Sequence, residues 1–175
     1  MSFSNRGLRG STFEEMINLT NERYRANSLA IVHKVATPIT PVAIDKESRH
    51  ITLAYFEKKS TVDYIGAVQG IPICFDAKET KLKNLPVGNT HRHQIEFMEE
   101  FTRQQGVAFM LVHFLLYDQY FFLPYARLRQ FWDIARKGGR KSIPYEDFDK
   151  KYLVEQRGGY LLYLDALNTY LESEV

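Results

Sequence analysis

Two aspartates and a lysine occupy strand-like runs of the chain, and their types suit metal-dependent chemistry on a phosphate. Asp63 opens one run, Asp76 and Lys78 lie in the next, and Gly70 joins the two, which predicts neighbouring strands. Because side chains alternate across a strand, Asp76 and Lys78 should emerge on one face and Ala77 on the other.

The residues around Asp76 are small or apolar, which predicts an interior strand where two carboxylates are costly unless paired or metal-bound. A divalent cation between Asp63 and Asp76 would remove their repulsion, and oxygen ligands favour Mg²⁺ or Mn²⁺ over zinc. Lys78 could then stabilise charge on a phosphoryl oxygen or orient the attacking water. The alternative is a structural Asp–Lys ion pair, because the pattern D-x-K is short.

Composition places these residues in an ordinary globular protein. The 175 residues are 45% hydrophobic and 25% charged, which predicts one compact domain rather than a disordered chain. The chain has no membrane-spanning apolar run and no signal-peptide pattern, and its single cysteine, Cys74, cannot form an internal disulfide. We therefore expect a cytoplasmic protein. The net charge of only +2 means that nucleic-acid binding would have to depend on local basic clusters.

The elements that must position the site alternate between helical and strand-like patterns. A helix is predicted after the capping-box pair Ser11 and Glu14, and another from about residue 91 to 105. Val107–Leu116 reads as a buried central strand, and a last helix is predicted to carry Leu161. This order predicts a mixed α/β sheet flanked by helices. The second helix should point Gln94 inward, toward the metal or its water, unless the side chain satisfies a buried backbone group.

Residues 34–50 stand apart from these elements. Pro38 and Pro41 exclude a helix interior and a central strand, while the residues between them favour extended backbone. We expect an extended, protruding connection, which is either a surface loop or a binding element.

Several longer motifs accompany the D-x-K pattern. They are NRG at 5–7, FEEMINLTNERY at 13–24, IVHK at 31–34 followed by Thr37-Pro38, AYFEKKSTVDYIG at 54–66, FDAKET at 75–80, H-x-HQIE at 91–96, FWD at 131–133, GRKSI at 139–143 and GY at 159–160. With these motifs in this order along almost the whole chain, the sequence resembles the RecU family of Holliday junction resolvases, also called penicillin-binding-protein-related factor A.

The resemblance implies a restriction-endonuclease-like fold and a homodimer that cuts four-way DNA junctions with symmetrical nicks in recombination and repair. It implies Mg²⁺, or Mn²⁺ in its place, as cofactor, and a recombinase as a candidate partner. By position, Asp63, Asp76, Thr61 and Gln94 would contact the metal, and Lys78 would stabilise the transition state. The family usually has Glu where this chain has Asp76, so the carboxylate keeps its charge on a side chain one methylene shorter.

The same resemblance divides the chain into a flexible arm at 1–10 and a single nuclease domain at 11–175. Residues 34–56 correspond to the family's proline-bearing stalk, which protrudes toward the junction centre. Glu14 could add a carboxylate to the site, although its capping role explains it equally well.

Basic clusters and one aromatic residue are the candidates for DNA contact, through phosphates rather than bases. They are Arg6, Lys34, Arg49, Phe56, Lys58, Lys59, Lys81, Lys83, Arg136, Lys137, Arg140 and Lys141. Each cluster alone could equally be a solvated surface. His91 and His93 with Cys74 form too weak a pattern to predict a zinc site.

Two other functions stay open on the sequence. One is a catalytically weakened junction-binding protein that modulates recombination, which the change of the family Glu to Asp76 favours. The other is a nuclease of the same fold that cuts ordinary duplex, which the stalk argues against.

Overall fold

The fold is given by a computed structural model, which describes residues 12–56 and 61–173. Within those residues the chain forms four α-helices, α1 (Thr12–Ala26), α2 (Arg92–Arg103), α3 (Tyr125–Arg136) and α4 (Tyr163–Ser173). The strands in the same residues are β1 (Ile31–Lys34), β2 (Ile39–Ile44), β3 (Ile51–Phe56), β4 (Tyr64–Val68), β5 (Ile71–Thr80), β6 (Asn84–Pro86), β7 (Val107–Phe114), β8 (Gln119–Pro124), β9 (Ser142–Pro144), β10 (Leu153–Val154), β11 (Gln156–Arg157) and β12 (Tyr160–Leu161). The predicted arm at residues 1–10 lies outside the described residues.

Six of these strands form the central sheet, in the order β1-β4-β5-β7-β8-β10. Neighbours run antiparallel except β5 and β7, which are parallel from the pair Ile73–Val107 to the pair Thr80–Phe114. Parallel strands cannot be joined by a tight turn, and the connection between them carries β6 and α2. The sheet is therefore mixed, as the sequence predicts.

Helices cover both faces of the sheet. The cluster that contains Ile73 and Phe75 of β5 packs against α1 and α4. Cys74 belongs to the opposite cluster, with residues of α2 and α3. The alternation of side chains along β5 therefore decides which layer each residue meets.

Aromatic rings on the α1 and α4 side form a ladder across four strands. Tyr64 stacks on Phe75 with ring centroids 4.8 Å apart, Phe75 on Phe109 at 4.7 Å, and Phe109 on Phe122 at 4.2 Å. Cross-strand aromatic pairs of this kind hold register in a sheet. Tyr64 and Phe75 neighbour Asp63 and Asp76 in sequence, so the ladder fixes the backbone from which both carboxylates project.

Buried polar contacts join α1 to the C-terminal segment. The hydroxyl of Thr20 accepts a hydrogen bond from the amide of Leu161 at 2.9 Å. The hydroxyl of Tyr24 donates to the Leu161 carbonyl at 3.1 Å, and the hydroxyl of Tyr163 donates to Asn21 at 2.6 Å. The prediction that Leu161 belongs to the last helix is wrong, because its backbone lies in β12 and is bonded to α1. Side chains of α1 therefore satisfy buried backbone groups of β12.

Strands β2 and β3 form a hairpin with its own two-stranded sheet. Pro41 lies in β2 next to a shift in the pairing register, a position where a strand tolerates proline. Large apolar side chains on this hairpin are exposed, from 46% for Ile39 to 73% for Phe56. The segment predicted to be an extended connection is thus a β-hairpin, and its role as a projecting stalk stays a prediction.

All the helices that the structure describes fall short of the length and apolar character that a membrane-spanning helix requires.

Candidate active site

Asp63 and Asp76 face each other across the β4–β5 pairing. Tyr64 pairs with Phe75, so Asp63 lies directly before the first residue of β4 and opposite Asp76. The Asp63 amide donates a hydrogen bond to Asp76 Oδ1 at 3.0 Å. The amide of Ala77 donates to Asp63 Oδ2 at 2.9 Å. Each carboxylate is therefore held by the backbone of the other strand.

The second oxygen of Asp76 is buried without a hydrogen bond. The Asp76 side chain has no exposed surface, and Oδ2 lacks a hydrogen-bond partner among the described residues. The ammonium of Lys78 lies 3.0 Å away as an ion pair, which partly compensates the charge of this oxygen. A buried carboxylate oxygen in this condition is costly, and a cation would remove the cost.

The electrostatics of the pair follow from this burial. Desolvation by burial, and after it the charge of Asp63, raises the pKa of Asp76 to about 6, although Lys78 acts in the opposite direction. The protonated form of Asp76 therefore persists to a higher pH than that of an ordinary aspartate, up to about pH 6. A bound divalent cation would reverse this shift, because carboxylate ligands bind metals in the ionised form.

Lys78 lies on the same face of β5 as Asp76, as the alternation of the strand predicts, and its side chain is 19% exposed. Its ammonium therefore sits at the edge of the buried pair, where it can reach both Asp76 and a bound anion.

The donor set fits a hard divalent cation rather than zinc. Two carboxylates meet here, and no group of three or more His, Cys, Asp or Glu side chains within residues 12–56 and 61–173 is arranged to hold a metal. Mg²⁺ commonly binds through one or two carboxylates and completes its coordination with water and substrate phosphate. Asp63 and Asp76 meet that requirement.

The oxygen of Gln94 contacts the backbone, which is the second of the two predicted alternatives, and not the metal or its water. Its side chain is buried, and its Oε1 accepts a hydrogen bond from the amide of His91 at 2.9 Å, which closes a capping box at the start of α2. The carbonyl oxygen is thus engaged with the backbone, and the side-chain NH₂ is the group left for a water. Thr61 is half-buried two residues before Asp63.

Two of the predicted basic clusters are joined by the short strands β6 and β9. Lys81 and Lys83 precede β6, and Arg140 and Lys141 precede β9. These strands pair antiparallel, and the amide of Val87 donates to the carbonyl of Lys141 at 3.0 Å. Because the pairing is antiparallel, Lys81 and Lys83 lie at one end of this short ladder and Arg140 and Lys141 at the other.

The other predicted DNA-contact residues are more dispersed. Lys34 pairs with Glu14 at 2.6 Å, so its charge is partly compensated. Arg49 lies at the hairpin turn with a positive φ of 57°, and Arg136 and Lys137 end α3. Phe56 ends β3 as an exposed ring, and Arg6, Lys58 and Lys59 lie outside the described residues.

Sequence reasoning misplaced the end of β7. The strand ends at Phe114, so Leu115 and Leu116 do not continue a buried strand. The Leu115 amide donates to the carbonyl of Thr80, the last residue of β5, and the chain then turns. The side chains of Leu115 and Leu116 are 37% and 54% exposed. Their exposure is a feature that apolarity alone could not predict.

A known protein family matches most of the chain. The family model described as Recombination protein U matches residues 8–169. The chain belongs to the RecU family. The Holliday junction resolvase RecU of Streptococcus gordonii is 44% identical over 161 residues, which cover 89% of this chain and 78% of that protein. The Holliday junction resolvase RecU of Oceanobacillus iheyensis is 40% identical over 174 residues, which cover 94% of this chain and 87% of that protein.

A solved structure also resembles the fold. Hjc, a Holliday junction resolvase from Archaeoglobus fulgidus, aligns with a TM-score of 0.42 and 15% identity over 67% of this chain and 78% of its own. The assignment to the RecU family depends on the family model and the sequence relatives.

Proposed function

We propose that the protein is a Mg²⁺-dependent, structure-selective endodeoxyribonuclease that resolves four-way DNA junctions by symmetrical nicks in recombination and repair. The observation that carries this proposal is the pair Asp63 and Asp76, held by reciprocal backbone hydrogen bonds, with a buried Asp76 oxygen beside Lys78. The names of its relatives, Holliday junction resolvase RecU, support the choice of substrate.

In this mechanism Asp63 and Asp76 would hold the cation through their ionised carboxylates. A divalent cation held there would polarise the scissile phosphate and lower the pKa of the attacking water. The Lys78 ammonium stabilises the negative charge that builds on the phosphate. Gln94, through its side-chain NH₂, and Thr61 support the water and the cation. Mn²⁺ has the same ligand preferences and would substitute.

We extend the proposal to the assembly. Two copies in a restriction-endonuclease-like homodimer would present two sites related by a two-fold axis, which suits a substrate with near two-fold symmetry. The β2–β3 hairpin would serve as the stalk that meets the junction centre, with Phe56 and Arg49 available for contact. The basic residues around β6 and β9, together with Arg136, Lys137 and Lys34, would bind phosphates. Arg6, Lys58 and Lys59 would add to them, a recombinase would be a further partner, and the enzyme would act in the cytoplasm.

The deciding experiment is cleavage of a labelled four-way junction, with linear duplex beside it, in Mg²⁺, in Mn²⁺ and in EDTA. We expect paired nicks at opposing positions of the junction, little cutting of the duplex, and none in EDTA. Asp63→Ala should abolish nicking and retain junction binding, since it removes a metal ligand from a folded protein. Asp165→Asn, which changes an exposed carboxylate on α4, is the matched control and should cut normally.

Lys78 is tested in the same assay. Lys78→Met should lower kcat by about 10²–10³-fold with binding retained, because it removes charge stabilisation at the transition state. Duplex cutting as fast as junction cutting would contradict the assigned substrate. Equal loss of binding and cleavage in Asp63→Ala would contradict its role.

A second function is favoured by Asp76 itself, where the RecU family usually has Glu. The shorter side chain changes the distance at which the carboxylate can reach a cation, which suits a protein that binds junctions and cuts them weakly. Tight junction binding with no nicks in either metal, and recovery of cutting in Asp76→Glu, would favour this junction-binding modulator.

A further inference from the structure

An exposed apolar surface lies at the end of the catalytic strand. It consists of Leu82, Leu115 and Leu116, with 55%, 37% and 54% of their surfaces exposed, and we refer to it as the leucine patch. Leucines exposed singly are ordinary, but three on two turns that are both bonded to the end of β5 indicate a binding surface.

One buried threonine holds the leucine patch in place. Thr80, the last residue of β5, is 5% exposed, and its hydroxyl accepts a hydrogen bond from the Leu82 amide at 3.1 Å. The same hydroxyl donates to the carbonyl of Asn84 at 3.0 Å. The Thr80 carbonyl accepts a hydrogen bond from the amide of Leu115 at 3.0 Å. Two turns from different parts of the chain are thus fixed to one residue, and the exposed leucines stand on ordered backbone.

An aromatic pair is bonded to the turn that bears Leu82. The rings of Tyr117 and Tyr145 lie 4.0 Å apart, and the Tyr145 hydroxyl donates to Gln119. The Tyr145 amide donates to the Lys83 carbonyl at 3.1 Å, which ties this pair to the turn that bears Leu82. Phe114 contacts both rings and belongs to the cluster on the α2 and α3 side. This pair therefore lies on the face of the sheet that carries Asp76 and Lys78.

The leucine patch is next to the proposed catalytic pair. Thr80 follows Lys78 by two residues on β5, which is about 7 Å along a strand. Lys81 and Lys83 flank Leu82 in sequence. Glu79 alternates to the other face, where it contacts His113 at 3.1 Å. Asp118, in the β7–β8 turn, lies near the same histidine, with its Oδ1 3.5 Å from His113 Nε2.

The charge and position of the leucine patch indicate which kind of molecule binds there. A partner here must present apolar surface between anionic groups, and it must continue into the site at Lys78. A DNA strand does both, since an unstacked base is apolar on its faces and lies between two phosphates. Architectural DNA-binding proteins insert leucines at base steps in this manner.

We infer that the leucine patch is a wedge that inserts at the base step beside the scissile phosphate, with Lys81 and Lys83 on the flanking phosphates. The inference rests on the proposed function and deepens it. The wedge would select junction positions where a base is already easy to unstack, and so would contribute to the choice of cutting site.

The test uses a four-way junction with 2-aminopurine at the base next to the cleaved bond, because this base brightens when it is unstacked. Binding is measured in the Asp63→Asn background, which prevents cutting. We expect the fluorescence to rise on binding, and to rise far less in the Leu82→Ser/Leu116→Ser variant. With Asp63 intact, that variant should lose about tenfold in kcat/KM, the size of one lost base contact.

The matched control is Leu19→Ser/Leu153→Ser, which removes two leucines that are 51% and 45% exposed on α1 and β10. It should retain both the fluorescence rise and kcat/KM. Equal fluorescence and equal kcat/KM in the patch and control variants would overturn the wedge. A change of oligomeric state in the patch variant would overturn it in favour of a contact between copies. Failure of the unmodified protein to cut junctions would instead overturn the proposed function.

Discussion

Replacing Asp76 by Asn should abolish junction cleavage and at the same time stabilise the metal-free protein. The ordinary pKa of Asp, 3.8, is raised to about 6 at this position. Between these values the unfolded chain has released the proton and the folded protein has not, so the free energy of unfolding falls as the pH rises. The difference between the two pKa values corresponds to a loss of about 3 kcal/mol in the free energy of unfolding. This loss is absent below about pH 4 and complete above about pH 6. Asparagine avoids this loss and keeps an oxygen that can accept the Asp63 amide.

The assay is thermal and denaturant unfolding in EDTA at about pH 4 and about pH 8. At the higher pH we expect the free energy of unfolding of Asp76→Asn to exceed that of the unmodified protein by up to about 3 kcal/mol. This difference raises the Tm by about 6–12 °C. Loss of the Lys78 ion pair reduces this figure. At the lower pH the two proteins should coincide. Mg²⁺ should raise the Tm of the unmodified protein and leave the variant unchanged. A difference that is the same at both pH values, or a variant that is less stable at the higher pH, would refute the reasoning. Asp165→Asn is the exposed control.

Three further predictions concern the proton and the fold. Because a proton on Asp76 competes with the cation, the Mg²⁺ concentration for half-maximal cleavage should rise about tenfold for each pH unit below about 6, and a flat profile would contradict the raised pKa. Gly66→Ala should destabilise the protein by about 1–3 kcal/mol, because the new Cβ would lie 2.1 Å from a carbonyl oxygen of β1. The control is Gly88→Ala, whose Cβ meets nothing within 4 Å, and denaturant unfolding compares the two variants. Thr20→Val should cost about 1–3 kcal/mol in the same assay by leaving a buried amide unpaired, and a neutral result would show that water replaces the hydroxyl.

Local rules were sufficient to predict that Asp63, Asp76 and Lys78 come together. Asp63 and Asp76 lie on strands joined by a tight turn at Gly70, whose φ of 92° suits glycine, so their neighbours pair directly. The position of Lys78 follows from the period of two along β5. Both facts depend on short stretches of chain, and the sequence contains all the information needed.

Other features depend on contacts between distant segments and could not be predicted. The helical period placed Gln94 on the inner face of α2, but it did not reveal that the amide of His91 would take its oxygen. The exposure of Leu115 depends on where β5 ends, because Thr80 is its backbone partner. The pairing of β6 with β9 involves three residues on each side, too few for any periodic pattern to appear.

The contacts between α1 and the C-terminal segment constrain when the enzyme can mature during synthesis. The β4–β5 pairing and its two aspartates emerge from the ribosome long before Leu161 and Tyr163. Until those residues are made, Thr20 and Asn21 on α1 lack the partners that bury them, and the aromatic ladder lacks the cover of α4. At about 5–20 residues per second, the nascent chain carries its acidic pair for several seconds on an unfinished sheet. Release of α4 from the ribosome therefore completes the packing of the sheet from which Asp63 and Asp76 project.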